Sequence, residues 1–262
     1  MKVFIITQDA PMYLAELLDH FLRRLKNTTH EVAGIVVLSP LFNQSIIEEV
    51  VSRYRYYGCL DFARLMAFLL RNKLLSLLAF FLPSLGCYSV SNVIHKYGIE
   101  RIRTGSVNAR EFVDRIRRGQ IDLIISLASS QIFKKELLAA PRLGCINYHT
   151  ALLPKYRGRQ PLFWAMQNNE KETGISIHEM DEHLDNGPIL LQERIEITPQ
   201  DTLHGLYVKT TASGPDLLIR AVEKMNSHDQ QRIPNDPRMA SFFGFPTKRD
   251  ADLFRQRGKK FF

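Results

Sequence analysis

Three polar residues in the second half of the chain have types and spacing that could support chemistry. Asn147 and His149 stand two positions apart at the end of an apolar run, so in extended backbone their side chains project from the same face. An amide N–H can stabilise a developing negative oxygen, and an imidazole can donate to that oxygen or accept a proton from a nucleophile. Asp185 follows later, in a turn sequence, where its carboxylate beside the imidazole would orient the ring and favour its charged form. Taken singly, each residue also fits an ordinary structural role.

The elements that must position these residues follow from the apolar pattern. Helices between apolar strands are typical of parallel βαβ units, so the sequence predicts an α/β fold with helices on both faces of a mostly parallel sheet. In such sheets, ligands bind at the carboxyl ends of the strands. Asp201 or Thr202 is positioned to cap the last long helix. The predicted strands are 2–7, 31–38, 100–103, 121–127 and 188–197, and the predicted helices are 11–22, two or three within 43–82, 92–97, 109–118 and 202–225.

Several common sites are missing from the sequence. No G-x-G-x-x-G follows the first strand at residues 7–11, which argues against an NAD-dependent enzyme. Neither a P-loop nor a G-x-S-x-G motif occurs. The three cysteines lack C-x-x-C spacing and have no histidines at metal-ligand intervals, which argues against a disulfide framework and a structural zinc site. Cys145 is interpreted as a small buried hydrophobe.

The length and charge suit a globular protein. With 262 residues, 45% of them hydrophobic, the chain can form one large domain or one domain with a short appendage. The formal charge of +8 would attract anions such as a phosphorylated substrate, polyglutamated folate or RNA. The first apolar run is too short for a signal peptide, so we expect a cytoplasmic protein. The apolar segment Leu74–Leu82 is too short to span a bilayer; a buried helix or a dimer contact is favoured over a shallow interfacial anchor.

The segment around the three polar residues resembles the formyltransferase family. The resemblance is carried by Asn147-Tyr148-His149-Thr150 with Leu153-Pro154-Lys155-Tyr156, by Arg157-Gly158-x-x-Pro161-x-x-Trp164-Ala165, by residues 173–178, and by Asp185-x-Gly187-x-Ile189-Leu190. It covers roughly residues 120–200, and the Arg157 segment is more similar to the methionyl-tRNA and sugar-amine branch than to the purine branch.

The resemblance implies a Rossmann-like domain that transfers a formyl group from 10-formyltetrahydrofolate to an amine, with no metal and no covalent enzyme intermediate. Asn147 would hold the formyl oxygen, and His149 would accept the amine proton or stabilise the oxyanion. Asp185 would tune His149 and help to protonate the folate nitrogen as it leaves.

The resemblance also implies binding residues. Backbone groups of two loops would contact the pterin edge of the folate; their residues are Ser129, Ser130, Gln131 and Phe133 in one, and Met180, Asp181 and Leu184 in the other. Many relatives have Gly near Ser129 or Ser130, and Phe133 is equally compatible with the core. The predicted substrate contacts are Tyr156, Arg157 and Gly158. Arg157 and Arg159 would meet a substrate phosphate or else be solvated surface charges, and His178 would support Asp185 or be structural.

The chain divides into a predicted catalytic domain at 1–205, with a helical insertion at about 43–82, and a helix with a tail at 206–262 packed on the core. About 60 residues follow the last predicted strand, too few for the carboxy-terminal barrel of methionyl-tRNA formyltransferases. We therefore expect a small amine substrate, foremost an amino sugar nucleotide, with neither tRNA nor DNA as partner. The insertion would serve substrate recognition or a homodimer.

Three alternatives stay open. A methionyl-tRNA formyltransferase-like enzyme and a formyltetrahydrofolate hydrolase would use the same residue types. A non-catalytic RNA- or membrane-binding protein would draw on the positive charge, the Arg53–Tyr57 cluster and the apolar segment at 74–82.

Overall fold

The computed structural model describes residues 1–8, 13–39, 46–227 and 231–262. The predicted start of the first helix at 11–12 and the start of the helical insertion at 43–45 lie outside the described residues. The strands are β1 (Lys2–Gln8), β2 (Glu31–Leu38), β3 (Arg101–Ile102), β4 (Leu123–Leu127), β5 (Cys145–His149), β6 (Arg157–Gly158), β7 (Glu172–Glu179), β8 (Ile189–Glu196) and β9 (Phe242–Phe243). The helices are α1 (Leu14–Leu25), α2 (Ile46–Phe81), α3 (Val90–Tyr97), α4 (Arg110–Arg118), α5 (Lys135–Leu138), α6 (Pro161–Gln167), α7 (Leu203–Asn226) and α8 (Lys248–Gln256).

Seven strands form one mixed sheet in the order β3-β2-β1-β4-β5-β7-β8. The pairings from β3 to β5 are parallel, whereas β7 and β8 are antiparallel to their neighbours. The prediction of an α/β fold with a mostly parallel sheet is therefore confirmed. β7 was not among the predicted strands, although its residues belong to the segment that carries the resemblance.

Helices cover both faces of the sheet. On one face, α1, α3 and α7 contribute Leu17, Phe21, Val93 and Leu217 to a hydrophobic cluster with the central strands. On the other face, α4 and α5 build a second cluster around Phe112 and the strand residues that point the opposite way. Because β1 and β4 are buried on both sides, their sequences are continuously apolar rather than alternating.

The helical insertion is one long element with a break. α2 has a non-helical residue, Gly58, with φ of 71°, so two helical segments meet there, in agreement with the prediction of two or three helices. The Arg255 guanidinium donates to the carbonyls of Tyr56 and Tyr57, which lie just before the break. The second segment is not a buried helix: Leu74 and Leu77 are exposed, so that interpretation was wrong. In the described ranges, no helix combines the length and the apolar character that crossing a bilayer would require.

The carboxy-terminal residues pack against earlier parts of the chain. α7 begins after its Thr202 cap, as predicted, runs across the proposed boundary at residues 205 and 206, and packs against α1. β9 then pairs with β6, and α8 packs against α2 and α6. The sequence analysis missed α8, whose signal is the capping box of Thr247 and Asp250.

Candidate active site

β5 brings the amide and the imidazole to one face of the sheet. Side chains alternate along a strand, so Asn147 and His149 lie on the same side as Cys145, the side covered by α4 and α5. β7 runs antiparallel beside β5 and pairs His178 directly with Asn147. The predicted common face is confirmed, because both side chains approach the same carboxylate.

That carboxylate belongs to Asp185, which is buried in the turn between β7 and β8. Its φ of 50° lies in the left-handed region, which Asp tolerates better than most residues. Oδ2 accepts the N–H of Gly158 at 2.8 Å and lies 3.6 Å from His149 Nδ1, and Oδ1 lies 3.3 Å from Asn147 Nδ2. The three residues distant in sequence therefore meet in one cluster.

The hydrogen bonds of His149 select its tautomer. Nε2 lies 2.8 Å from the carbonyl oxygen of Tyr156, which can only accept, so Nε2 carries the hydrogen. In the neutral ring, Nδ1 then carries the lone pair, and it is directed towards Asp185. The imidazole is thus fixed with its basic nitrogen on the carboxylate side.

The charges of this pair follow from burial and from its donors. Burial by itself would raise the pKa of the Asp185 carboxyl, but His149, His178 and the Gly158 N–H lower it to about 2. Burial lowers the pKa of His149 below its ordinary 6.5, although Asp185 and the Tyr156 carbonyl act to raise it. We assign an ionised Asp185 beside a neutral His149, because the Gly158 N–H stabilises the carboxylate whatever the charge on the ring.

His178 supports the cluster from β7. Its Nδ1 donates to the Glu179 carbonyl at 2.8 Å, so the neutral ring offers Nε2 as an acceptor, 3.2 Å from Asn147 Nδ2. Nε2 also lies 3.6 Å from Asp185 Oδ1. Two roles were predicted for His178: support of Asp185, or a purely structural role. The structure places its ring beside both Asn147 and Asp185, as the supporting role requires.

Tyr156 and Gly158 hold the cluster through their backbones. The Tyr156 side chain is buried, its hydroxyl donates to Glu170, and its ring stacks on Phe243. Gly158 has φ of 100°, and a Cβ there would come within 2.2 Å of the Phe243 carbonyl oxygen. Only glycine fits this close approach, which is what allows its N–H to reach Asp185.

Arg157 is inside the protein rather than at its surface. Its side chain belongs to a residue that is 2% exposed, so the interpretation as a solvated surface charge was wrong. Nη1 donates to the Asn186 side-chain oxygen at 2.7 Å and Nη2 to the Asn235 side-chain oxygen at 2.7 Å. The guanidinium is therefore committed to the turn that carries Asp185, not placed in an open phosphate site.

Asn235 is a site-building residue that the sequence analysis missed. Its side-chain N–H₂ donates to the carbonyl oxygens of Asp185 at 3.0 Å and Gly187 at 2.9 Å, on both sides of the turn. Nearby, the Ser241 hydroxyl accepts the N–H of Tyr156 at 2.9 Å. No local pattern marks either residue, since their partners are 50 and 85 positions away in sequence.

The two predicted folate loops differ in what their side chains do. The Phe133 side chain is buried in the cluster around Phe112, which agrees with the core role that the sequence left open and leaves its backbone for a pterin contact. Gln131 is occupied by the Val107 N–H and the Gly105 carbonyl, while the Ser130 hydroxyl donates to the Ser39 carbonyl. The Ser129 hydroxyl accepts the Gln131 N–H, which shapes the same turn.

In the second loop, Met180 packs against the same cluster as Phe133, which brings the two loops to one region of the molecule. The Asp181 carboxylate accepts the His183 N–H and the Asn186 side chain. Leu184 is exposed, and so is Ile132 in the first loop, an apolar residue that the predicted set did not include. A role in pterin binding stays a prediction for these loops. Among the described residues, no group of His, Cys, Asp and Glu is placed to hold a metal ion.

Comparisons with known proteins show which family the chain resembles. A family model described as formyl transferase matches residues 87–222, more than half of the chain. The methionyl-tRNA formyltransferase of Kosmotoga olearia is 40% identical over 164 residues, which cover 63% of this chain and 53% of that protein. The chain thus spans about half the length of the curated relatives it matches.

Solved structures share the fold. The sugar 3N-formyl transferase WlaRD, determined in the presence of dTDP and 5-N-formyl-THF, has a TM-score of 0.60 at 18% identity, covering 94% of this chain and 70% of that one. The N-formyltransferase from Helicobacter canadensis, in complex with folinic acid and dTDP-3-aminofucose, has a TM-score of 0.58 at 15% identity, covering 94% and 71%. With its fold, its polar cluster and the family match on the same residues, the chain belongs to the formyl transferase family.

Proposed function

We propose that this chain transfers the formyl group of 10-formyltetrahydrofolate to a primary amine, and that the amine is carried by a nucleotide-linked amino sugar. The observation that carries the proposal is the buried cluster in which Asn147, a neutral His149 and an ionised Asp185 meet. A neutral imidazole with its lone pair directed into a polar cluster is suited to accept a proton at neutral pH.

In the proposed reaction, the amine nitrogen attacks the formyl carbon, and a new C–N bond forms while negative charge collects on the formyl oxygen. Asn147 Nδ2 would donate to this oxygen. Its contacts to His178 at 3.2 Å and Asp185 at 3.3 Å are long for hydrogen bonds, so an N–H can turn towards a stronger acceptor.

The proton of the attacking amine goes to His149 Nδ1. The imidazolium that forms would face the Asp185 carboxylate, which stabilises it without a large rearrangement. The C–N bond to folate N10 then breaks, and the proton is delivered to N10. The products are the formamide and tetrahydrofolate, so the atoms balance with no other reactant.

Two observations support the amino sugar nucleotide as acceptor. WlaRD and the Helicobacter canadensis enzyme, which share this fold, were solved with dTDP and dTDP-3-aminofucose. In this chain, Lys155 and Arg159 are exposed and flank in sequence the residues whose backbones contact His149 and Asp185, so the two cations could meet a diphosphate, although Lys155 lies 3.6 Å from Glu170.

A second candidate acceptor is methionyl-tRNA, and one observation favours it: the 40% identity to the Kosmotoga olearia enzyme. The +8 charge of the chain is also compatible with a nucleic acid. The described tail residues 231–262 pack on β6, α2 and α6 through β9 and α8.

The test is to follow tetrahydrofolate release from 10-formyltetrahydrofolate with three additions: no amine, a dTDP-amino sugar, or methionyl-tRNA. Release that requires the amino sugar nucleotide supports the proposal. Release that requires methionyl-tRNA supports the second candidate, and release without any amine means hydrolysis. No release in any arm would contradict a catalytic function under these conditions.

A further inference from the structure

The second segment of α2 carries an apolar stripe on its solvent side. Seven residues follow each other at alternating spacings of three and four, the repeat that keeps side chains on one side of a helix. We call them the α2 stripe: Leu60, Ala63, Ala67, Leu70, Leu74, Leu77 and Phe81. All seven are exposed; Leu60 is 74%, Leu70 69% and Phe81 84% exposed.

The opposite side of the same helix is buried against the rest of the protein. Leu65, Asn72 and Ala79, spaced seven apart, are all buried there. α2 contacts α3 and α8. The helix is therefore held by one side, and the α2 stripe faces away from the protein's own core.

Such a stripe is costly if it stays in water. A helix that is apolar on two opposite sides normally has a partner on each, and a contiguous exposed apolar patch marks an interaction surface. Other apolar residues of the same segment and the turn after it are also exposed: Met66, Leu78, Phe80, Leu82 and Leu85.

The charges beside the stripe indicate what covers it. No Asp or Glu occurs from residue 62 to residue 99, whereas Arg64, Arg71 and Lys73 adjoin the stripe and are exposed. Arg64 already pairs with Asp61, so Arg71 and Lys73 supply the excess positive charge. An apolar strip edged by cations is complementary to a surface that is apolar inside and anionic outside.

A second copy of this chain is a poorer complement. Pairing two stripes would bring Arg64, Arg71 and Lys73 of both helices to one seam, where the segment 60–81 offers a single acidic residue, Asp61, which already pairs with Arg64. Like charges at the edges of a helix pair select against that pairing.

We propose that the α2 stripe binds the surface of a membrane containing anionic lipids, with the helix lying in the interface plane. The leucine and phenylalanine side chains enter the boundary of the acyl region, and Arg71 and Lys73 meet the headgroup phosphates. The helix does not span the bilayer. The inference is independent of the formyl acceptor, since it rests on a surface away from the catalytic cluster.

The test is flotation of the full chain with phosphatidylcholine vesicles, with and without phosphatidylglycerol, at low and high salt. We expect binding to be at least about 10-fold stronger with the anionic lipid and to weaken as salt rises. Leu74→Asp with Leu77→Asp should abolish it. Arg71→Gln with Lys73→Gln should remove the preference for anionic vesicles. The control for the two Leu→Asp substitutions is Val208→Asp, which places the same acidic side chain at an exposed apolar site on α7 and should leave binding unchanged.

Thermal unfolding of each variant shows whether it remains folded, which is expected because every substituted residue is exposed. Equal binding by the protein and the Leu74→Asp, Leu77→Asp variant would overturn the proposal, and so would the absence of any preference for phosphatidylglycerol. A dimer in solution without vesicles that the same two substitutions dissociate would also overturn it, since a second copy would then cover the stripe.

Discussion

Folded proteins usually bury apolar side chains and expose polar ones. The polar cluster at β5 departs from this by burying polar groups, and the α2 stripe departs from it by exposing apolar ones. At β5, charged and polar groups are buried, and their cost is offset by hydrogen bonds inside the chain, such as those of Asp185 with Gly158 and His149 with Tyr156. On α2, apolar groups are exposed, and the described chain offers no cover for them. The first region is complete within one molecule, whereas the second requires an external surface.

The relatives inform the two regions unequally. The family match, residues 87–222, contains the whole polar cluster and none of the α2 stripe. The first region lies within the family match, so it can be compared with the family. The second must be interpreted from its own burial and charge.

The largest effect that we expect is from His149→Ala, which removes the proposed proton acceptor. The turnover number should fall by about 10²- to 10⁴-fold, the usual contribution of a positioned base. The measurement is steady-state formyl transfer with the preferred amine. His95→Ala, at an exposed histidine on α3, is the matched control and should retain the full rate. If His149→Ala kept a rate within a few-fold of normal, His149 would not be the proton acceptor. The polar cluster could then no longer be contrasted with the α2 stripe as the catalytic region.

Asp185→Asn should lower the turnover number and also move the pH profile. Burial lowers the pKa of His149 below 6.5, so the acid limb of kcat/KM should lie below pH 6.5 in the unmodified protein. Asp185 acts to raise that pKa, and without its charge the limb should move to still lower pH. Asp216→Asn, at an exposed carboxylate of α7, should leave the profile in place. A limb that moved upward would contradict the assigned charges.

Asn235→Ala tests whether the tail positions Asp185. Loss of the bonds to both sides of the turn should displace the carboxylate and lower the turnover number on the order of 10-fold. The acid limb of the pH profile should shift as well, which general destabilisation would not cause. The control is Arg238→Ala, three residues on, whose side chain is 88% exposed. Equal behaviour of the two variants would show that the tail only covers the site.

The smallest effect is expected from Leu74→Asp with Leu77→Asp on formyl transfer in solution. Among the described residues, no hydrogen bond, ion pair or ring contact joins the α2 stripe to the polar cluster. The turnover number with a soluble amine should therefore stay within about twofold of normal, as is usual for distant sites. The same preparation should have lost vesicle binding. A large drop in turnover would mean that the two regions are coupled, and the contrast between them would no longer hold.

Local patterns were sufficient for most of the fold. Short apolar runs located most of the strands and a period of 3.6 most of the helices, and Thr202, one of the two predicted caps, caps α7. They failed where an element is short or polar, as with α8, or where an apolar helix faces outward, as with the segment at 74–82. Periodicity reports that a helix has an apolar side, but not whether the protein itself covers that side.

The site divides in the same way. The spacing of Asn147 and His149 predicted a shared face, and Asp185 was a candidate from its residue type, with a catalytic role implied by the resemblance to the family. For Arg157 the sequence left open a phosphate contact or a solvated surface charge, whereas the structure buries it against neutral amide partners from two distant segments of the chain. For Phe133 the sequence left open a pterin loop or the core, and the structure places its side chain in the core.

The sequence by itself determined the class of fold and the family, and it singled out Asn147, His149 and Asp185 as candidate site residues. These inferences depend on residue type and on short spacings along the chain. The tertiary structure alone decided which nitrogen of His149 is free, how Asn235 and Arg157 hold the Asp185 turn, and which side of α2 meets water. Those features depend on contacts between segments far apart in the chain. Their geometry is set by the packing of the whole domain, and no local pattern of residues encodes it.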